Sequence, residues 1–207
     1  MGSCCHNKEK DLEKTVERHR NVLWIVLVIN ALMFFVEMTF GLMAQSVALV
    51  ADSLDMLGDA VTYGTSIVVV GMGTSQKASV AKLKAWIMLI FGLFVAGRCI
   101  LKAFAPVTPE FTIMVWVGLV ALGANLICLW MLNKFREDDI NMKSVWICSR
   151  NDIIANTSVL LAALVVSLTA SGWPDLLVGC GLTVLFVRSA MGIFADVRQT
   201  RQKSTCA

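Results

Sequence analysis

Long apolar runs separated by short polar stretches dominate the chain. A helix that crosses a bilayer needs about 20 mostly apolar residues. Six stretches meet that length: Val22–Ala44, Val47–Gly73, Leu83–Phe104, Phe111–Leu132, Ser144–Ala170 and Trp173–Val197. The pattern predicts an all-α integral membrane protein of six transmembrane helices. The linkers Gln45-Ser46 and Ser171-Gly172 are so short that helices one and two, and helices five and six, must turn back as tight antiparallel hairpins. An even number of spans puts both termini on one side. The expected division is an N-terminal tail over 1–21, a six-helix transmembrane domain over 22–197 and a short C-terminal tail over 198–207.

Composition agrees with that pattern. Apolar residues are 57% of the chain and charged residues 16%, against roughly a quarter charged in a soluble domain. Fourteen of the 18 Lys and Arg fall in four segments that share a face. These are the N-terminal tail (Lys8, Lys10, Lys14, Arg18, Arg20), the Thr74–Lys84 linker (Lys77, Lys82, Lys84), the Lys134–Lys143 linker (Lys134, Arg136, Lys143) and the C-terminal tail (Arg198, Arg201, Lys203). The hairpin tips on the opposite face carry none. The positive-inside rule makes the basic face cytoplasmic, both termini included. The net charge of +3 therefore reflects topology and predicts no nucleic-acid partner. Met1–Arg20 is polar and lacks the pattern of a cleaved leader, so no cleavage is expected; the expected location is multi-pass in a membrane, a bacterial inner membrane.

The seven cysteines (Cys4, Cys5, Cys99, Cys128, Cys148, Cys180, Cys206) are odd in number and scattered, and imply no disulfide framework. Met1-Gly2-Ser3-Cys4-Cys5 approaches a myristoylation signal but has His6 where Ser or Thr is required.

Candidate chemistry lies where charge is costly. Ionisable residues inside spans usually mark ion or substrate pathways. In helix two, Asp52, Asp55 and Asp59 recur at helical spacing on one stripe. In helix five, Cys148 and Asp152 stand four residues apart, with Asn156 one turn further on. Asp55, Asp59, Cys148 and Asp152 together would offer four oxygen and sulfur ligands, the number a tetrahedral zinc-like ion prefers. Spacing alone leaves proton relays, organic-cation sites and structural capping or pairing open. Arg150 lies on the far side of helix five from Cys148 and Asp152.

At these residues the chain resembles a known family. Phe34-Phe35-Val36-Glu37, continuing through Ser46-Val47-Ala48-Leu49-Val50-Ala51-Asp52-Ser53-Leu54-Asp55-Met56-Leu57-Gly58-Asp59, is similar to the first two helices of the cation diffusion facilitators. Arg98 with Pro106-Val107-Thr108-Pro109 is similar to the end of that family's third helix, and Trp173-Pro174-Asp175 to the start of its sixth. The resemblance implies that Asp55 and Asp59 supply half of a transport site and that Cys148 and Asp152 supply the other half. Cys148 stands where the family usually has His or Asp. The sequence ends soon after the sixth span, so the cytoplasmic metal-binding domain of many members is not expected in it. The Thr74–Lys84 linker has no His or Asp for an accessory site.

The expected function is secondary transport: export of a divalent transition-metal cation, zinc or cadmium before cobalt or nickel, from the cytoplasm in exchange for protons. No cofactor is expected. The metal ion and protons are the transported species, the bilayer is the medium, and a homodimer held by membrane helices is the expected assembly. Two alternatives are an intramembrane metal-dependent enzyme built on Asp52, Asp55 and Asp59, and a non-transporting metal-sensing subunit. No His-Glu-x-x-His, Gly-x-Ser-x-Gly or P-loop pattern supports the enzyme. Asn30 and Glu37 read as a buried pair making structural hydrogen bonds. Arg98, Lys102 and Arg188 read as headgroup anchors. Cys4, Cys5 and His6 form a soft-ligand cluster in a mobile tail, for which handing metal to the pore is the lesser of the two readings and a plain tail the greater. Gly64, Gly71, Gly73, Gly92, Gly97, Gly179, Gly181 and Gly192 are expected at close helix contacts.

Overall fold

The computed structural model describes residues 2–69, 74–105, 107–137 and 140–205. They form six helices: α1 (Gly2–Met43), α2 (Val47–Val69), α3 (Thr74–Phe104), α4 (Phe111–Asn133), α5 (Ile140–Thr169) and α6 (Trp173–Thr205). Five contain a long apolar stretch able to cross a membrane: Glu17–Met43, Ala85–Phe104, Phe111–Asn133, Val145–Thr169 and Trp173–Ala195. Helix α2 is as long as α4, 23 residues each, but three aspartates interrupt its apolar run. It is the central helix, packed against α1, α3, α5 and α6. From Val47 to Leu54 every residue is buried.

Two features differ from the sequence expectation. The Thr74–Lys84 linker is helical and forms the first turns of α3. The N-terminal tail is helical as well, since α1 runs unbroken from Gly2 through the 21/22 boundary. Its 42 residues span about 63 Å, roughly twice a hydrocarbon core of about 30 Å. The side chains of Cys4, Cys5 and His6, and Cys206 as a whole, lie outside the described residues.

Helices α1, α2, α4 and α5 form one group through the pairs α1·α2, α4·α5, α1·α4 and α2·α5. The α3·α6 pair packs onto α2, and α6 also onto α5. Between α2, α3 and α6 lies a core of Val47, Ala51, Leu54, Val95, Leu176 and Phe186. A second core, between α1, α2, α4 and α5, holds Leu23, Val26, Tyr63, Cys128, Leu132 and Met142. Outward-facing side chains are large and apolar, as in Phe104, Trp130 and Leu168, which suits lipid and not water.

The α1–α2 hairpin shows how two residues reverse the chain. Gln45 takes the left-handed conformation (φ 54°), and the Ser46 amide donates to the Gly41 carbonyl at 2.9 Å while the Gln45 amide donates to Leu42 at 3.2 Å. That is a Schellman ending with Gln in the position usually held by Gly. Close packing uses some of the expected glycines. A Cβ on Gly179 would stand 2.6 Å from Val47 Cγ1, and one on Gly92 3.2 Å from Val187. Gly97, Gly181 and Gly192 have open space instead, because they face away from the helix contacts. Gly71 and Gly73 lie outside the described residues.

Candidate metal site

The middle of α2 carries the candidate site. Asp55 and Asp59 project from one face, Asp55 half-buried and Asp59 only 6% exposed. Across the α2·α5 contact, Asp152 is buried with its carboxyl in hydrogen-bonding reach of Asp59 and in the electrostatic reach of Asp55 and Cys148. Two carboxyl groups approach that closely only by sharing a proton or by flanking a cation, since bare like charges repel. Depths counted from the apolar runs put the two pairs about 10 Å apart, at about 1.5 Å per residue. The structure instead brings Asp59 and Asp152 to one level.

The surroundings bear on what the site can do. Tyr63, the chain's one tyrosine, donates its hydroxyl to Asp59 Oδ2 at 3.0 Å. Asp152 Oδ2 has no hydrogen-bond partner. Asn156, fully buried, donates Nδ2 to the Asp152 carbonyl at 3.0 Å, and its Oδ1 has no partner. Among the described residues no three His, Cys, Asp or Glu side chains stand close enough to hold one ion together. Asp59 and Asp152 meet, and Asp55 and Cys148 lie in the electrostatic reach of Asp152.

One turn toward the α1–α2 hairpin lies a second acidic group. Glu37 of α1 and Asp52 of α2 are both inaccessible to solvent, and none of their four carboxyl oxygens has a hydrogen-bond partner. Glu37 lies in the electrostatic reach of Asp52 and Asp55. This corrects the reading of Asn30 and Glu37 as a structural hydrogen-bonding pair. Asn30 Nδ2 bonds the Val26 carbonyl of its own helix at 2.9 Å, and Glu37 finds no donor. Unpaired carboxyl groups in so apolar a place are costly unless a proton or a cation joins them.

The N-terminal end of α2 is held quite differently. Ser46 caps the helix, its Oγ accepting the Leu49 amide at 3.1 Å. Asp175, from the first turn of α6 and fully buried, accepts the Val47 amide at 2.8 Å, the Ala48 amide at 3.1 Å and the Ser46 hydroxyl. Lys102 of α3 completes the knot, with Nζ 2.8 Å from Asp175 Oδ2 and 2.6 Å from the Gln45 carbonyl. Lys102 is thus an ion-pair partner at a three-helix junction and not a free headgroup anchor. Arg150 is exposed and stacks on Trp146 at 5.5 Å, with Arg136 5.6 Å from the same ring.

Sequence reasoning missed Asp175, Lys102 and Tyr63 in these roles. Tyr63 was within reach, since it continues the Asp55, Asp59 stripe by one more turn. Asp175 and Lys102 lie far from Ser46 in the chain, and no local pattern pairs them.

Comparison with known proteins agrees with a helical membrane domain. The cation efflux transmembrane domain family matches residues 23–200. The zinc transporter ZitB of Yersinia pestis is 25% identical over 189 residues, 84% of this chain and 60% of that protein. The metal cation efflux system protein CzcD of Cupriavidus metallidurans is 25% identical over 165 residues, 74% of this chain and 52% of that protein. A cadmium, cobalt and zinc/H(+)-K(+) antiporter of Bacillus subtilis is 19% identical over 193 residues, 86% of this chain and 62% of that protein. The chain therefore spans about half to three fifths of these relatives. With most of its length matched, this chain belongs to the cation efflux family, whose members are membrane transporters and not enzymes.

Proposed function

We propose that this chain moves a divalent transition-metal cation, zinc or cadmium first, out of the cytoplasm in exchange for protons, with Asp55, Asp59, Cys148 and Asp152 as ligands. The observation that carries this reading is the meeting of the Asp59 and Asp152 carboxyl groups, from two helices, at a buried point inside the membrane domain. Carboxyl groups and a thiol bind metal only when deprotonated, so metal entry releases protons and proton return releases metal. The Asp59–Asp152 contact is the proton-loaded form of such a site. Arriving metal takes the place of the shared proton and draws in Asp55 and Cys148.

The relatives support the substrate class, since their names specify zinc, cadmium and cobalt, and one specifies exchange for H(+) and K(+). The Lys and Arg distribution supports both termini in the cytoplasm, and the bacterial relatives support an inner membrane. Large apolar side chains exposed along the membrane helices support assembly as a homodimer within the bilayer.

The test is metal flux in proteoliposomes of the purified chain, with and without an imposed pH gradient, beside Asp152→Ala. Gradient-driven zinc or cadmium flux that vanishes in Asp152→Ala is the expected result. Binding of metal without flux, under any gradient, would favour the metal-sensing subunit instead.

A further inference from the structure

Away from the carboxyl groups, α3 and α6 bring two thiols together. The antiparallel register of this pair is fixed at two levels. Gly92 lies against Val187, Phe186 and the Thr183 carbonyl, and Lys102 reaches Asp175. Cys99 and Cys180 fall between those levels. This register sets Cys99 beside Cys180, with Cys180 and Thr183 in interaction range of the Cys99 thiol. Cys99 is buried among Val95, Leu176 and Leu182. Cys180 is exposed on the same outward face as Leu177 and Val184, both more than half exposed. None of these residues belongs to the α2·α5 site.

Geometry and charge decide what such a pair takes. Two sulfurs each about 2.3 Å from a tetrahedral zinc ion stand about 3.8 Å apart, and a larger ion of the same group sets them further apart. A disulfide needs about 2.05 Å and a rearrangement of both side chains. When a divalent ion binds, both S–H bonds break, two metal–sulfur bonds form and two protons leave. The product is neutral, which suits a low-dielectric place where a net charge is costly. Thr183 Oγ1 donates to the Gly179 carbonyl at 2.9 Å, which leaves its lone pairs for a third contact. Two sulfurs and one neutral oxygen favour soft cations over hard ones.

We propose that Cys99 and Cys180, with Thr183 beside them, form a second binding site, for a thiophilic d10 cation such as Cd(II) or Hg(II), on the α3·α6 pair. It is a static site, entered from the lipid-facing side at Cys180, that bridges two helices whose contact is already extensive.

The test is titration of the detergent-purified full chain, with Cys4, Cys5, Cys148 and Cys206 changed to Ser, using cadmium chloride and mercuric chloride. Thiolate-to-metal charge-transfer absorption is followed. The expected result is one equivalent of absorbance that is lost in Cys99→Ser and in Cys180→Ser and kept in Asp152→Ala. The last variant removes the carboxyl site, so failure of the transport reading and failure of this one are separable. Labelling of Cys180 by a lipid-soluble maleimide gives a second reading, slowed at least tenfold by cadmium in the parent and unchanged by cadmium in Cys99→Ser. Equal absorbance in parent and both serine variants overturns the proposal. So does a loss of both thiols before metal is added that a reductant restores, which would make the pair a disulfide.

Discussion

Helix α2 buries carboxyl groups at two places, and they are treated in opposite ways. At its N-terminal end Asp175 receives two backbone amides, a serine hydroxyl and a lysine. Along its middle, Asp52 and neighbouring Glu37 receive nothing, and Asp152 leaves one oxygen bare. Both places are equally hidden from solvent, so burial does not separate them. Partners do. A carboxylate with its acceptor sites filled by fixed donors has no use for a mobile ion, whereas carboxyl groups crowded together without donors are stable only while a proton or metal is present. The first arrangement holds three helices, and the second suits an ion that comes and goes.

The sharpest way to break this comparison is at the middle. Asp55→Ala, Asp59→Ala and Asp152→Ala are each expected to reduce metal flux at least about 100-fold, a loss of about 3 kcal/mol or more of binding in the transport cycle, while the protein stays inserted and monodisperse. Flux at the parent level in any two of them removes the proposed site.

At the end of α2 the expected loss is in stability. Asp175→Asn removes the partner of a nearly buried lysine and weakens the cap on α2. Stranding one member of a buried ion pair costs about 3–5 kcal/mol. The midpoint of thermal unfolding in detergent should fall clearly, and Lys102→Met in the same chain should restore part of it. An unchanged midpoint in Asp175→Asn would mean that the three-helix knot contributes nothing.

The same substitution at Asp52 should do the reverse. Asp52→Asn removes a carboxyl group that has no donor, so the melting midpoint should hold or rise by the equivalent of about 1 kcal/mol. Flux should fall by less than in the Asp55, Asp59 and Asp152 variants, because the proposed ligand set does not include Asp52. If Asp52→Asn destabilises the protein as much as Asp175→Asn does, the distinction drawn from partners is wrong.

What could be read from the sequence follows from the range of the physics involved. The start of α4 at Phe111, the start of α6 at Trp173 and the end of α3 at Phe104 were legible because a bilayer makes apolar length a local signal. The helical course of Thr74–Lys84 was not, since polar helix and polar linker look alike once the chain leaves the apolar run. Asp55 and Asp59 stood out through spacing within one helix. Their level relative to Asp152 did not, because α1, α3, α5 and α6 all extend beyond their apolar stretches, so helix ends are no common ruler. Ser46 is a cap signal by type and place, but its partner Asp175 comes from the last helix, and only packing reveals it.

The smallest expected effect is the one that tests Cys148, half-buried one turn before Asp152 on α5. A thiolate is softer than a carboxylate or an imidazole, so a site of one sulfur and three oxygens should favour cadmium and zinc over magnesium, calcium or manganese. Three carboxylates and a thiolate, fully deprotonated, would set four negative charges against one divalent ion, so at least one proton should stay with the metal-bound site. Cys148→Ser keeps the size and removes the softness, and should lower the ratio of cadmium to zinc flux a few-fold, equivalent to about 1 kcal/mol. Cys148→His should lower the ratio too but keep more zinc flux than Ser, because imidazole remains a good zinc ligand. Flux assays with each metal in turn on both variants decide the matter. A Cys148→Ser protein that ranks the metals as the parent does would make Cys148 a packing thiol. The fourth ligand would then be sought first at Asn156, whose buried Oδ1 has no partner, and next at Asp52.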